Sequence, residues 1–196
     1  VKIIGALYKI PLNNILGDEG VTYFNASYKI YSFLLSLSTA GLPVALSKLV
    51  AESRALGKYN QSRKLLRLSL TLFTAIGAVG TAIMFFFTEE LAAMMNNSLA
   101  YAPTKALSFS VVCVCMMSAF RGYTQGSENM VPSAISQVIE AVFKLVVGLA
   151  LAWYLVDAGF GLSVGAAGAI MGVTISTVLA LGYMIVSHLR HRNDIP

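Results

Sequence analysis

Lys9, Lys29, Glu140 and Lys144 stand inside apolar runs of this sequence, where an ionisable side chain is costly unless it is used. Two of them lie in RGYTQGSENMVPSAISQVIEAVFKLVVG, residues 121–148, a polar turn that becomes a long apolar helix. Ser133, Ser136, Gln137, Glu140 and Lys144 recur there at three- and four-residue steps, so on a helix they form one polar stripe. Ile135, Ile139, Val142, Val146 and Leu149 supply the apolar face. If the helix enters a bilayer near Val131, a rise of about 1.5 Å per residue puts Glu140 roughly 13 Å deep, near the middle of a ~30 Å hydrocarbon core. Ionisable groups at that depth face a bundle interior or an aqueous cavity and mark a path for a substrate or an ion. The bland alternative is that Glu140 and Lys144, spaced i,i+4, only neutralise one another. Such a pair has no need of the uncharged polar groups on the same stripe.

A second stripe runs through the segment 22–50, where Asn25, Lys29, Ser32, Ser36, Thr39, Pro43 and Ser47 repeat every three or four residues. Asn25, Ser32, Ser36 and Gln137 are therefore read as uncharged cavity-lining groups beside the four charges. Pro11, Gly41 and Pro43 are read as hinges, because proline removes a backbone donor and a Gly-x-Pro inside a membrane helix frees carbonyls. A packing kink with no function explains Gly41 and Pro43 equally well.

The elements that must position these groups follow from composition. Of 196 residues 57% are hydrophobic and 12% charged, against roughly 25% charged in soluble domains. Apolar runs of helical length, without ten-residue alternation, exclude a β-barrel and leave an all-α, polytopic membrane protein. The expected helices are about 1–16, 22–50, 65–87, 105–120, 131–156 and 164–187, one six-helix transmembrane lobe. The chain begins within an apolar segment and stops after a basic flank, so it reads as a fragment of a larger unit.

The net charge of +5 could suggest nucleic acid, but the basic residues flank apolar runs. Arg54, Lys58, Arg63, Lys64 and Arg67 are grouped against one acid, Glu52, as in a cytoplasmic turn. Asp18, Glu19, Glu89, Glu90 and Asp157 fall in the turns of the other side. The expectation is a multi-pass protein with its amino end inside, Arg121 lying in a cytoplasmic turn, and no nucleic-acid partner. Cys113 and Cys115, two residues apart, point to different sides of a helix and are read as buried hydrophobes. His188 and His191 belong to a basic flank and are not read as metal ligands. No cluster of His, Asp and Glu suits a general base, so neither enzyme chemistry nor a metal or other cofactor is expected.

Two stretches resemble a known group as text. GALYKIPLNNILGDEGVTYFNASYKIYSFLLSLSTAGLPVALSKLVAE, residues 5–52, and AFRGYTQGSENMVPSAISQVIE, residues 119–140, are similar to segments of stage V sporulation protein B-like proteins and lipid II flippases. These form a branch of the multidrug/oligosaccharidyl-lipid/polysaccharide flippase superfamily. The resemblance implies the amino-terminal lobe of a MATE-like two-lobe transporter, its partners being membrane lipid, a lipid-linked sugar and a carboxy-terminal lobe of the same protein. It implies passage of a lipid-linked oligosaccharide or peptidoglycan precursor across the bacterial cytoplasmic membrane by alternating access, with Lys9, Lys29, Glu140 and Lys144 at the substrate. Lys stands at 9 and 144 where similar members would carry Arg, keeping the charge without the bidentate fork. The alternative within the superfamily is a cation-coupled multidrug exporter with Glu140 as the ion-binding carboxylate.

Overall fold

In bilayer hydrocarbon every backbone N–H and C=O must be satisfied within the protein, which makes the helix the natural form for apolar runs of this length. The computed structural model describes residues 2–39, 41–94 and 101–191, and these are helical almost throughout, with no strand among them. The order is α1 (Lys2–Thr39), α2 (Leu42–Ala55), α3 (Tyr59–Phe86), α4 (Thr88–Met94), α5 (Tyr101–Gly126), α6 (Val131–Asp157) and α7 (Leu162–His191). Among the described residues four stretches are long and apolar enough to cross a membrane: Tyr59–Phe86, Pro103–Gly126, Val131–Asp157 and Leu162–Arg190. α1 is not among them, since Lys2, Lys9, Asp18, Glu19 and Lys29 interrupt its apolar residues.

α1 is two arms. Gly17 takes φ 63° and ψ −179°, a conformation open to glycine because it lacks a Cβ. The rings of Tyr8 and Phe24 lie 6.0 Å apart, whereas sixteen residues of straight helix would separate them by about 24 Å. The chain therefore folds back at Gly17, and the break falls there and not at Pro11, which sits within the first arm.

The helix expected over 22–50 is likewise divided. α1 ends at Thr39 and α2 starts at Leu42, with Gly41 at φ 76° and Pro43 in the first turn of α2, where its missing N–H would have had no partner. Ala40 lies outside the described residues. Gly41–Pro43 is thus a boundary between two helices rather than a kink in one. α2 then buries Leu46, Val50 and Ser53.

α5 is the central post. It touches α1, α2, α3, α4, α6 and α7, and 67% of its most apolar stretch is buried against 11% of that of α6. Lateral association in lipid has little hydrophobic drive, so close backbone approach through small residues carries it. Gly77 of α3 sits on Val112 and Cys115 of α5, and Gly122 and Gly126 of α5 sit on Pro43, Ser47 and Val50 of α2. Gly168 and Gly172 of α7 face α6, the first on Leu151 and Leu155 and the second directly on Gly148. Thr81 reinforces the α3–α5 seam by donating to the Ser108 carbonyl at 3.0 Å, and Thr104 bonds Ser27 across α5 and α1 at 2.9 Å. Cys113 and Cys115 are buried free thiols within this core.

The turns gather at two ends. Gly126 packs on Ser47 and Arg54 reaches the Ser127 carbonyl, joining the α5–α6 turn to α2. Leu16 meets Gly165, joining the Gly17 reversal to the start of α7.

A Cβ on Gly172 would collide with the Gly148 backbone, while one on Gly182 would meet nothing within 4 Å. Gly172→Ala should cost about 1–3 kcal/mol through overpacking. Gly182→Ala should be neutral or gain up to about 1 kcal/mol of helix propensity. Thermal unfolding of the two variants in detergent checks the ordering.

Candidate functional site

The polar stripe of α6 faces α5. Arg121 lies within α5, which continues to Gly126, so the cytoplasmic turn expected to hold it begins later. Its Nη2 donates to Glu140 Oε2 at 2.9 Å and its Nε to Ser136 Oγ at 3.2 Å. Ser136 Oγ in turn donates to the Ser133 carbonyl at 2.8 Å, and the Ser133 and Thr124 hydroxyls share a hydrogen bond of 2.7 Å. The ion pair is partly covered, with Arg121 19% and Glu140 28% exposed. Away from bulk water such a pair is held by mutual attraction, and removing one partner strands the other.

The partner of Glu140 is therefore Arg121, nineteen residues away, and not Lys144. Lys144 lies elsewhere on α6, its Nζ 4.9 Å from the Tyr28 ring centroid and 5.5 Å from that of Tyr8. A cation within about 6 Å of two aromatic faces is stabilised by both quadrupoles. The two rings come from opposite arms of α1, and Phe24 ties them together by stacking on Tyr28 at 5.8 Å. Tyr31 continues the aromatic row at 5.7 Å from Tyr28. The reversal at Gly17 thus builds the seat for a cation carried by α6.

The second stripe lies beside this aromatic row, about a quarter of the way round the same helix. Phe24, Ser27, Ile30 and Tyr31 are buried, whereas Lys29, Ser32 and Ser36 are exposed and Asn25 is half-buried. Lys29, Ser32 and Ser36 occupy one ridge of α1 that the rest of the described chain leaves uncovered, with the half-buried Asn25 at its edge. Gln137 is half-buried on α6. The side chain of Lys9 lies outside the described residues. Glu140 and Lys144 are thus drawn into the contacts of α6 with α5 and α1, while Lys29 stands on an uncovered face.

Arg121 carries a signal that sequence reading passed over. A polar stripe on an apolar helix calls for a partner on a neighbouring helix, and an Arg, Thr pair three residues apart at 121 and 124 supplies one face with two matching groups. Gly122 and Gly126, spaced four apart, are the small-residue seat for α2 and read in sequence as part of a turn.

If Glu140 belongs to Arg121, a double-mutant cycle of Arg121→Met with Glu140→Leu should give a coupling of about 1–3 kcal/mol. The cycle of Glu140→Leu with Lys144→Met should fall below about 0.5 kcal/mol. Both are read from unfolding of the purified protein in detergent.

The family profile described as "Polysaccharide biosynthesis protein" matches residues 1–196. Stage V sporulation protein B of Bacillus subtilis (strain 168) is 30% identical over 186 residues, covering 94% of this chain and 36% of that protein. Lipid II flippase MurJ of the same organism is 30% identical over 154 residues, 74% of this chain and 28% of its own length. A third B. subtilis relative, the uncharacterized membrane protein YabM, is 28% identical over 180 residues, 92% of this chain and 33% of YabM. The chain spans about a third of the length of these curated relatives. No solved structure matches it significantly. With apolar helices of spanning length and a family match from end to end, this is a multi-pass membrane protein that belongs to the polysaccharide biosynthesis protein family, in its stage V sporulation protein B-like and lipid II flippase branch.

Proposed function

We propose that this chain is part of a flippase that moves a lipid-linked oligosaccharide or peptidoglycan precursor across the bacterial cytoplasmic membrane by alternating access, and that it is a transporter rather than an enzyme. The observation that carries the reading is the uncovered ridge of Lys29, Ser32 and Ser36 on α1, with the half-buried Asn25 at its edge. A cation and three other polar groups would be strongly unfavourable against lipid tails, so the ridge faces water and polar ligand. A lipid pyrophosphate requires positive charge in a cavity that also admits acyl chains, and Lys29 offers it. Lys144, seated on Tyr8 and Tyr28, places a second cation beside the same helix.

A multidrug exporter coupled to a proton or cation would call for a carboxylate free to take up that ion. Glu140 is engaged by Arg121, which favours the anionic substrate. The basic turn with Lys58 and Lys64 is placed in the cytoplasm, the amino end with it, and the Gly17 reversal outside. The remaining two thirds of the relatives' length would hold the facing lobe, closing the cavity over the α1 ridge.

The test is reconstitution of the full-length protein in liposomes with a fluorescent polyprenyl-pyrophosphate-linked saccharide. Lys29→Ala should slow the initial flipping rate by roughly tenfold or more, as loss of one charge-assisted contact implies, and Lys29→Arg should retain most of it. Flipping by Lys29→Ala at the wild-type rate would remove Lys29 from the anion site.

A further inference from the structure

Where the two arms of α1 diverge from the Gly17 reversal they form an open cleft of about 370 Å³, within the range of roughly 300–1,000 Å³ usual for small-molecule sites. Asn13 and Asn14 come from the first arm and Asn25 from the second. Ile10, Val21 and Phe24 supply apolar wall. None of the three carboxamides has a hydrogen-bond partner among the described residues. Each offers two donors and an acceptor with two lone pairs, and with Asn13 and Asn14 exposed and Asn25 half-buried these groups are open to water or a ligand. No charged side chain lines the pocket.

Resting on the flippase reading, we infer that this pocket receives the saccharide of the lipid-linked substrate, with Asn13, Asn14 and Asn25 reading its hydroxyl and amide groups. Amides that both donate and accept suit an uncharged polyol, whose C–H faces lie against apolar wall such as Ile10, Val21 and Phe24. Asn25 belongs to the pocket and also to the ridge that carries Lys29, one turn or about 6 Å farther along the helix. That spacing sets an uncharged site directly beside a cationic one, the order in which a sugar and its pyrophosphate are joined. The acyl chain then leaves Lys29 on the side away from the Gly17 reversal.

The inference separates sugar recognition from anion recognition. The full-length protein in nanodiscs is titrated with two probes, a polyprenyl pyrophosphate carrying one N-acetylhexosamine and the same polyprenyl pyrophosphate without sugar. Asn25→Leu, and Asn13→Leu with Asn14→Leu, should each weaken the sugar-bearing probe by roughly tenfold and leave the bare one within about twofold, because a site built to hydrogen-bond loses most when its polar groups are removed. Lys29→Ala should weaken both probes. Equal weakening of both probes by the amide variants, or no weakening of either, overturns the sugar pocket while leaving the flippase reading standing. If the unsubstituted protein binds neither probe, the flippase reading fails and the pocket with it. Each variant is first checked for an unchanged thermal transition, and Asn25→Ser replaces the Leu variant if that transition is lost.

Discussion

An ionised group inside a bilayer has three ways to avoid the cost of hydrocarbon: an opposite charge, an aromatic face or water. Arg121, Glu140, Lys144 and Lys29 are met in different ways, and the arrangement of the helices follows from where each is met. Arg121 and Glu140 take the first, which clasps α5 to α6. Lys144 takes the second, which brings α6 onto both arms of α1 through Tyr8 and Tyr28. Lys29 has neither among the described residues, and its position on an uncovered ridge leaves water as the remaining choice. Charges met by the protein are separated from the charge left uncovered by this difference and not by sequence position.

The separation depends on two glycine devices. Gly17 lets α1 reverse, which faces the aromatic row inward and the row of Asn25, Lys29, Ser32 and Ser36 outward. Glycines at 77, 122, 126, 148 and 172 let α3, α2 and α7 approach their partners at backbone distance. Helix packing in lipid rests on such contacts, because the tails are as apolar as the side chains. With α5 closed in by small residues and hydroxyl bonds, the ridge of α1 stays an uncovered polar surface among the described residues.

The all-helical membrane class could be read directly from composition, because 12% charged residues and long apolar runs leave few other solutions. The polar ridge on α1 also showed in the sequence, since a helical period alone places Asn25, Lys29, Ser32 and Ser36 together. Partners were harder to find. Spacing at i,i+4 suggested Lys144 for Glu140, but the shorter route across the helix contact belongs to Arg121, which looked like a turn residue because the apolar run stops at Phe120. Helix ends overran the apolar segments for the same reason: α5 continues to Gly126 and α3 begins at Tyr59, where polar residues carry on the helical hydrogen bonds beyond the apolar run. The seat of Lys144 could not be read at all, since Tyr8 and Tyr28 are more than a hundred residues away and only the fold-back at Gly17 unites them.

The central claim is that the uncovered ridge of α1 meets water while the exposed apolar face of α6 meets lipid. Its most direct measurement is thiol labelling in membranes of the full-length protein, after replacement of Cys113 and Cys115, with single cysteines at Ser32, Ser36, Val142 and Val146. A hydrophilic maleimide supplied to both sides of the membrane should modify Ser32→Cys and Ser36→Cys and spare Val142→Cys and Val146→Cys. Unreactive cysteines at both 32 and 36, or labelling at all four positions alike, would contradict the account.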